Sequence, residues 1–161
     1  MGVEIEKKYL LKNDSWKDKV SNSTAFKQGY LNDTDNSGNK SSVRIRIEGD
    51  SANINIKSMT LSITRQEYEY PIPLNDAEKL LNDLCNKPLI EKTRHIVYYE
   101  ECKWEIDEFE GDNKGLVVAE IELQNEKDDV PLPEWIGVEV SDQEKYYNVC
   151  LVKNPYSQWS K

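Results

Sequence analysis

Glu4, Glu6 and Lys8 stand two residues apart near the start of the chain, with Val3 and Ile5 on the alternate positions. On a β-strand this spacing puts the charged side chains on one face and the apolar ones on the other. The pattern returns along the sequence. Arg44 and Arg46 alternate with Val43, Ile45 and Ile47, and Lys57 follows Ile54 and Ile56 on the opposite parity. Glu67 and Glu69 alternate with Tyr68 and Tyr70, Lys92 and Arg94 form a further pair, and Glu105 and Asp107 alternate with Trp104 and Ile106. Glu120 and Glu122 alternate with Ala119, Ile121 and Leu123. An antiparallel sandwich with one wet face also gives apolar-in, charged-out alternation, so alternation alone leaves two architectures open. The sign of the charge is segregated by strand, however. Like charges on one strand repel unless a neighbouring strand or a ligand compensates them, and an ordinary surface mixes the signs. That favours an enclosed charged face.

If these faces line a barrel lumen, Lys8, Arg44, Arg46, Lys57, Lys92 and Arg94 confront carboxylates from four strands. Guanidinium forks match phosphate oxygens and lysine ammoniums act as point charges, so the basic set suits a polyanion. The carboxylates suit a hard cation such as Mg²⁺, which takes oxygen ligands and commonly bridges protein carboxylates and substrate phosphates. Neither GxxxxGK[ST] nor GxGxxG occurs, so side chains rather than a backbone cradle must hold phosphate. The single histidine, His95, excludes histidine-rich zinc sites and HExxH chemistry. His95 has the opposite parity from Lys92 and Arg94 and is expected to face outward.

These faces must be positioned by strands, and the period-2 signal dominates the chain. Strands are expected near residues 3–11, 25–31, 41–49, 52–58, 63–73, 89–100, 102–110 and 116–124, bounded by turns such as Asn36-Ser37-Gly38 and Gly49-Asp50. Helices are expected over 75–86, with Asn75 as N-cap and Ala77, Leu80, Leu81 and Leu84 on the buried face, and over 142–152. A shorter helical turn is expected over 14–20. Residues 32–40 read as a mobile loop, and 125–133 as another. The predicted fold is mainly β (α+β): an eight-stranded antiparallel closed β-barrel tunnel with a few helices packed outside. With 161 residues, 37% of them apolar, and no linker or repeat, the chain reads as a single domain over 1–161.

In order along the chain, Glu4-Ile5-Glu6-Lys7-Lys8, Gln28-Gly29-Tyr30-Leu31, Val43-Arg44-Ile45-Arg46, Lys57, Glu67-Tyr68-Glu69 and Glu91-Lys92-Thr93-Arg94 resemble the motifs of the CYTH superfamily, the triphosphate tunnel metalloenzymes. Trp104-Glu105-Ile106-Asp107, Gly115-Leu116, Ala119-Glu120-Ile121-Glu122-Leu123 and Tyr146-Tyr147-Asn148 continue the resemblance, with the opening ExExK as its leading signature. It is closest in character to the small bacterial-type inorganic tripolyphosphatases. The resemblance implies hydrolysis of a triphosphate with Mg²⁺ or Mn²⁺, two ions being expected. Arg44, Arg46, Lys57, Lys92 and Arg94 would then grip phosphate, with Lys8 beside the scissile end as electrostatic partner or general base. Glu4, Glu6, Glu69, Glu120 and Glu122 would hold metal. Glu67, Glu105 and Asp107 would join them or orient the basic groups. Tyr30 would point inward and partly close the tunnel, and Lys145 would add another basic group.

Alternative readings are an adenylate cyclase, a thiamine or nucleoside triphosphatase of the same fold, and a non-catalytic polyphosphate-binding module. The expected partner is a small polyanion, and a homodimer is compatible with the resemblance. A net charge of −9 opposes duplex nucleic acid as a partner. No apolar run reaches membrane-spanning length, and the charged start MGVEIEKKYL differs from a secretory signal. Cys85, Cys102 and Cys150 match no zinc or redox spacing and read as free thiols, in keeping with the cytoplasm.

Overall fold

The computed structural model describes residues 2–33 and 38–160. Asn36 and Ser37 of the expected turn, and with them part of the expected mobile loop, lie outside the described residues. Among the described residues, nine strands run in chain order: β1 (Gly2–Leu11), β2 (Asn22–Tyr30), β3 (Ser41–Glu48), β4 (Ser51–Ser58), β5 (Thr64–Ile72), β6 (Ile90–Tyr99), β7 (Cys102–Phe109), β8 (Val117–Glu122) and β9 (Ile136–Glu139). They form one sheet in the order β5-β4-β3-β2-β6-β7-β8-β1-β9, and β5 also pairs with β1. Every pairing is antiparallel. The first eight strands therefore close into a ring, which removes the open edges of a sheet.

β1 is the seam. Its first half, Gly2–Ile5, pairs with β5, and Glu6–Leu10 pairs with β8. On the edge that β5 leaves free, Tyr9 and Leu11 pair with β9. The expected eight strands are thus present, and β9 is an addition. Four residues, Ile-Gly-Val-Glu, following a proline-rich stretch are too few to display a period.

Strand parity sorts the side chains. Tyr9, Trp104, Ile106, Ala119 and Ile121 face outward and form a core with Trp16 and Trp135. The short 3₁₀ turn Ser15–Lys19, where a helical turn was expected, delivers Trp16 to this core. On the opposite outer face, Ile45 and Ala52 pack under Ala77 and Leu81 of helix α1 (Leu74–Asp83). Inside the ring the charged rungs give way to apolar ones: Leu10, Tyr30, Ile90, Phe109 and Val118 lie two residues beyond Lys8, Gln28, Lys92, Asp107 and Glu120. With Tyr146 and Leu151 they form an apolar cluster that fills this end of the lumen.

The helices differ from expectation in detail. Pro73, in extended conformation, occupies the N-cap position of α1, and its carbonyl accepts from the Ala77 N–H. Asn75 therefore sits inside the first turn and caps nothing. The helix stops at Asp83; the N–H groups of Leu84 and Cys85 both reach the Leu80 carbonyl, which swings Leu84 out to 63% exposure and buries Cys85 in its place. The expected helix over 142–152 is broken at Tyr147, whose backbone is extended. What remains is a 3₁₀ turn at Glu144–Tyr146 and the short helix α2 (Asn148–Leu151).

The hairpin between β6 and β7 carries local strain. Glu100 and Glu101 both have positive φ, 48° and 67°, a conformation that costs a residue with a Cβ about 1–2 kcal/mol. Replacing the pair by Asn-Gly (E100N/E101G) should raise the unfolding free energy by about 1 kcal/mol or more, read as a shift of the urea midpoint at unchanged slope.

Candidate active site

The lumen holds a cavity of about 740 Å³. On the β3 side, Arg44 and Arg46 stand opposite Asn55 and Asn53 of β4. These neutral neighbours leave the two guanidiniums with little compensating charge. Arg46 donates through Nε to Gln28 Oε1 at 2.8 Å and lies 3.6 Å from Glu48. Burial, with Arg44 and Arg94 nearby, lowers its pKa to about 10. The Nε of Arg44 is buried and has no hydrogen-bond partner among the described residues. The Phe26 ring lies close to three cations: Arg46 and Arg94 at 4.8 Å and Lys92 at 5.8 Å from its centroid.

The β6–β7–β8 wall is a continuous ion network. Asp107 accepts from Lys92 Nζ at 2.7 Å and from Arg94 Nε at 2.8 Å. Arg94 also reaches Glu120 at 3.0 Å and Glu105 at 3.3 Å, and Lys8 meets Glu120 at 3.2 Å. Burial opposes every charge in this network, and the partners decide the outcome. Arg94, beside Asp107 and Glu120, is held well above its ordinary range. Burial would raise Glu120, yet Lys8, Arg94 and Lys92 hold it well below the usual carboxylate range. At Lys92, by contrast, burial outweighs Asp107 and lowers the pKa to about 7.

Glu6 of β1, Glu105 of β7 and Glu120 of β8 bring one carboxylate oxygen each within 4.8 Å of one another. Burial, then Glu120, pushes Glu6 up to about 8, and burial also raises Glu105. Three carboxylates converging from three strands, two of them crowded enough to be raised, are the donor set a hard divalent cation requires, so these residues fit such an ion. Farther along β1, Glu4 meets Lys57 at 2.9 Å and Arg65 at 3.4 Å. Lys57 also meets Glu67 at 3.3 Å, and Glu69 accepts from Asn55 Nδ2 at 2.7 Å.

Thirteen of the residues singled out from the sequence face this cavity: Lys8, Arg44, Arg46, Lys57, Lys92, Arg94, Tyr30, Glu4, Glu6, Glu67, Glu69, Glu105 and Glu120, with Glu122 beside them as a fourteenth. Asp107 does not line it. The carboxylate is 0% exposed, with both oxygens taken by Lys92 and Arg94, which suits orientation of the basic pair rather than metal binding. Lys145 also lies off the cavity, over the rings of Tyr146 and Trp159. His95 turns outward as its parity requires, packing on Trp16 with Ser23 and Glu108 at its ring nitrogens.

Several lining residues received no role from the sequence. Arg65 shares the parity of Glu67 and Glu69, and extending their alternation by one rung would have found it. Phe26, two residues before Gln28, has a similar signal. Tyr147 and Asn148 come from the C-terminal segment, where no periodicity indicates an inward direction.

The fold and its lining define a barrel built to enclose a small polyanion among cations and carboxylates. The CYTH domain family model matches residues 2–152, and the chain belongs to that family. It is 43% identical over 162 residues, spanning 100% of both proteins, to an inorganic triphosphatase of Acetivibrio thermocellus. A crystal structure of another inorganic triphosphatase superposes with a TM-score of 0.66 at 28% identity, over 94% of this chain and 95% of that one. A Hippeastrum protein described as an adenylyl cyclase with a dominant triphosphatase activity shares the fold at 14% identity, with a TM-score of 0.53 over 78% of this chain and 80% of that one.

The crowding of Glu6 has a measurable consequence in metal-free protein. Its pKa is raised on folding, so between pH 4.5 and about 8 the folded chain holds a proton that the unfolded chain has released. Stability should therefore fall as pH rises through that window. Thermal melts in EDTA should show that fall, and Glu6→Gln should flatten it.

Proposed function

We propose that this chain hydrolyses a triphosphate in a divalent-metal-dependent reaction, with inorganic tripolyphosphate as the substrate and pyrophosphate and phosphate as products. The observation that carries this reading is the division of one enclosed lumen into an under-compensated arginine side and a converging carboxylate side. The full-length similarity to an inorganic triphosphatase supports it.

In this reading Arg44, Arg46 and Arg94 bind phosphate oxygens through guanidinium forks, and Lys57, Lys92 and Arg65 add positive charge. Asp107 orients Lys92 and Arg94, which arrive preorganised rather than being rearranged by the substrate. Glu6, Glu105 and Glu120 would hold the first Mg²⁺ or Mn²⁺, and Glu4, Glu67, Glu69 and Glu122 are the remaining candidates for a second. The ion's chemistry is to offset phosphate charge and to make a bound water more acidic. Lys8 remains an ammonium: burial favours the neutral form, but Glu120 and Glu6 together raise its pKa. It therefore stabilises developing negative charge on the substrate and does not take the water proton. The water oxygen joins the terminal phosphorus, the bridging P–O bond breaks, pyrophosphate leaves with the electron pair, and a proton passes to solvent.

Tyr30 belongs to the apolar floor and limits how deep a substrate reaches. The chain acts as one domain, in a reducing compartment such as the cytoplasm, where its three unpaired cysteines persist as thiols. No described helix is long and apolar enough to cross a membrane.

A panel of tripolyphosphate, ATP, thiamine triphosphate and pyrophosphate, each with Mg²⁺, Mn²⁺ or EDTA, tests the reading. Phosphate release from tripolyphosphate should dominate and should stop in EDTA. Cyclic AMP as the main product from ATP, or binding of tripolyphosphate without turnover, would overturn it. Side-chain parity adds a second expectation. Arg94→Ala should cut turnover by about two orders of magnitude or more, the scale of losing a preorganised charge at the reacting group. His95→Ala, its outward-facing neighbour, should keep activity per folded molecule near that of the wild type.

A further inference from the structure

The C-terminal segment meets the charged groups of the lumen through Tyr146, Tyr147 and Asn148. Val140 donates its N–H to the Lys8 carbonyl at 2.8 Å, and the Lys8 N–H donates to Ser141 Oγ at 3.0 Å, which fixes the segment to β1. Tyr147 Oη then donates to the Ser141 carbonyl at 2.7 Å. Beyond this anchor, the Tyr146 carbonyl accepts from Lys8 Nζ at 3.2 Å. The Tyr147 ring lies 5.2 Å from Lys8 Nζ and 5.1 Å from the Arg65 guanidinium. Asn148 Oδ1 accepts from Lys92 Nζ at 2.8 Å and from Gln28 Nε2 at 3.2 Å, and Gln28 turns its own Oε1 to Arg46 Nε at 2.8 Å.

We infer that Gln28 and Asn148 are positioning residues, linking Arg46 on β3 to Lys92 on β6 through two neutral amides and thereby setting the spacing of the phosphate-binding cations. The chemistry favours amides here. A carboxylate in either position would neutralise a cation needed by the substrate, and an aliphatic residue would leave Arg46 Nε or a Lys92 proton without an acceptor. Both residues are buried. The relay runs Arg46 Nε–H to Gln28 Oε1, then Gln28 Nε2–H to Asn148 Oδ1, which Lys92 shares. Each donor in this chain of bonds meets a neutral acceptor, so no negative charge is added. α2 thus acts on substrate affinity through a side chain that reaches one cation, Lys92, directly and a second, Arg46, through Gln28. The inference rests on the polyanion reading of the lumen.

The test measures tripolyphosphate binding by calorimetry in EDTA, together with KM and kcat in Mg²⁺, for Asn148→Leu and Asn148→Asp. Asn148→Leu keeps the branched outline of the side chain and loses the acceptor; it should weaken binding and raise KM by about tenfold to a hundredfold, with a smaller change in kcat. Asn148→Asp keeps the acceptor but adds the negative charge that the amide avoids, so it should recover part of that loss, binding more tightly than Asn148→Leu and more weakly than the wild type. A purely packing role predicts the reverse order, since Leu suits a buried site better than Asp, and that order would overturn the proposal. Wild-type affinity in Asn148→Leu would overturn it as well. If the Asn148 variants fail to melt cooperatively, Gln28→Leu against Gln28→Glu carries the same comparison at Arg46. In the relay, the double variant Gln28→Leu/Asn148→Leu should cost less than the product of the single fold-changes. Independent effects would count against it. A wild-type chain that binds tripolyphosphate but does not hydrolyse it would sink the hydrolytic reading alone, because the binding comparison still stands.

Discussion

Charges folded into the interior of a closed ring have to be answered by other charges or by a ligand, and this requirement organises the barrel. Water no longer screens them, so each uncompensated group is costly. Cross-strand register supplies many of the answers. Arg94 stands opposite Asp107, Lys8 opposite Glu120, and Lys57 opposite Glu67. Where register opposes Arg44 and Arg46 with asparagines, the compensation is withheld. Like charges also meet, Glu6 opposite Glu122 and Glu105 opposite Glu120. The ring therefore has one wall where guanidiniums face too few anions and another where carboxylates outnumber the cations paired with them. A metal–polyphosphate pair would make good both deficits.

The apolar part of the protein makes that polar interior affordable. Outward-facing positions of β1, β6, β7 and β8 pack around Trp104, which meets Tyr9 and Trp135 edge to face at 5.5 Å and 5.8 Å. α1 covers β3 and β4 from the other side. The strands are thus held by their outer faces, leaving the inner faces free to carry groups that contribute little to folding. At the filled end of the lumen the same inner parity turns apolar, and Tyr146 and Leu151 complete the cluster. One continuous stretch of chain therefore supplies both the apolar closure and, at Asn148, a polar contact to the charged rungs above it.

Strand parity made most of this legible in the sequence, because a period of two fixes direction as well as conformation. It assigned opposite sides to Arg94 and His95, and it gathered carboxylates from four strands without any knowledge of their pairing. What it could not supply was partnership. Glu105 and Asp107 have the same parity on the same strand. One converges with Glu6 and Glu120, whereas the other is sealed beneath two cations, a difference set by depth along the barrel axis. Asn148 carried still less signal, since its inward direction depends on the break at Tyr147. That break follows from tertiary contacts, including the Tyr147 hydroxyl on the Ser141 carbonyl. The same limit applies to Leu84 and Cys85, where the termination of α1 chose which side chain is buried.

Net charge misleads for the same reason that pairing matters. A chain of −9 is a poor partner for a long polyanion, whose every phosphate feels the surface field. A substrate small enough to enter the lumen responds mainly to its walls, where low-dielectric surroundings strengthen nearby charges and distant ones are screened within about 10 Å. Part of the acidic excess lies within that lumen, on the carboxylate wall. A divalent cation held there would lower the negative charge facing the phosphates. The acidity that argues against duplex nucleic acid is thus partly the equipment for holding a smaller phosphate compound, and the two conclusions drawn from it agree once the charge is assigned to its strands.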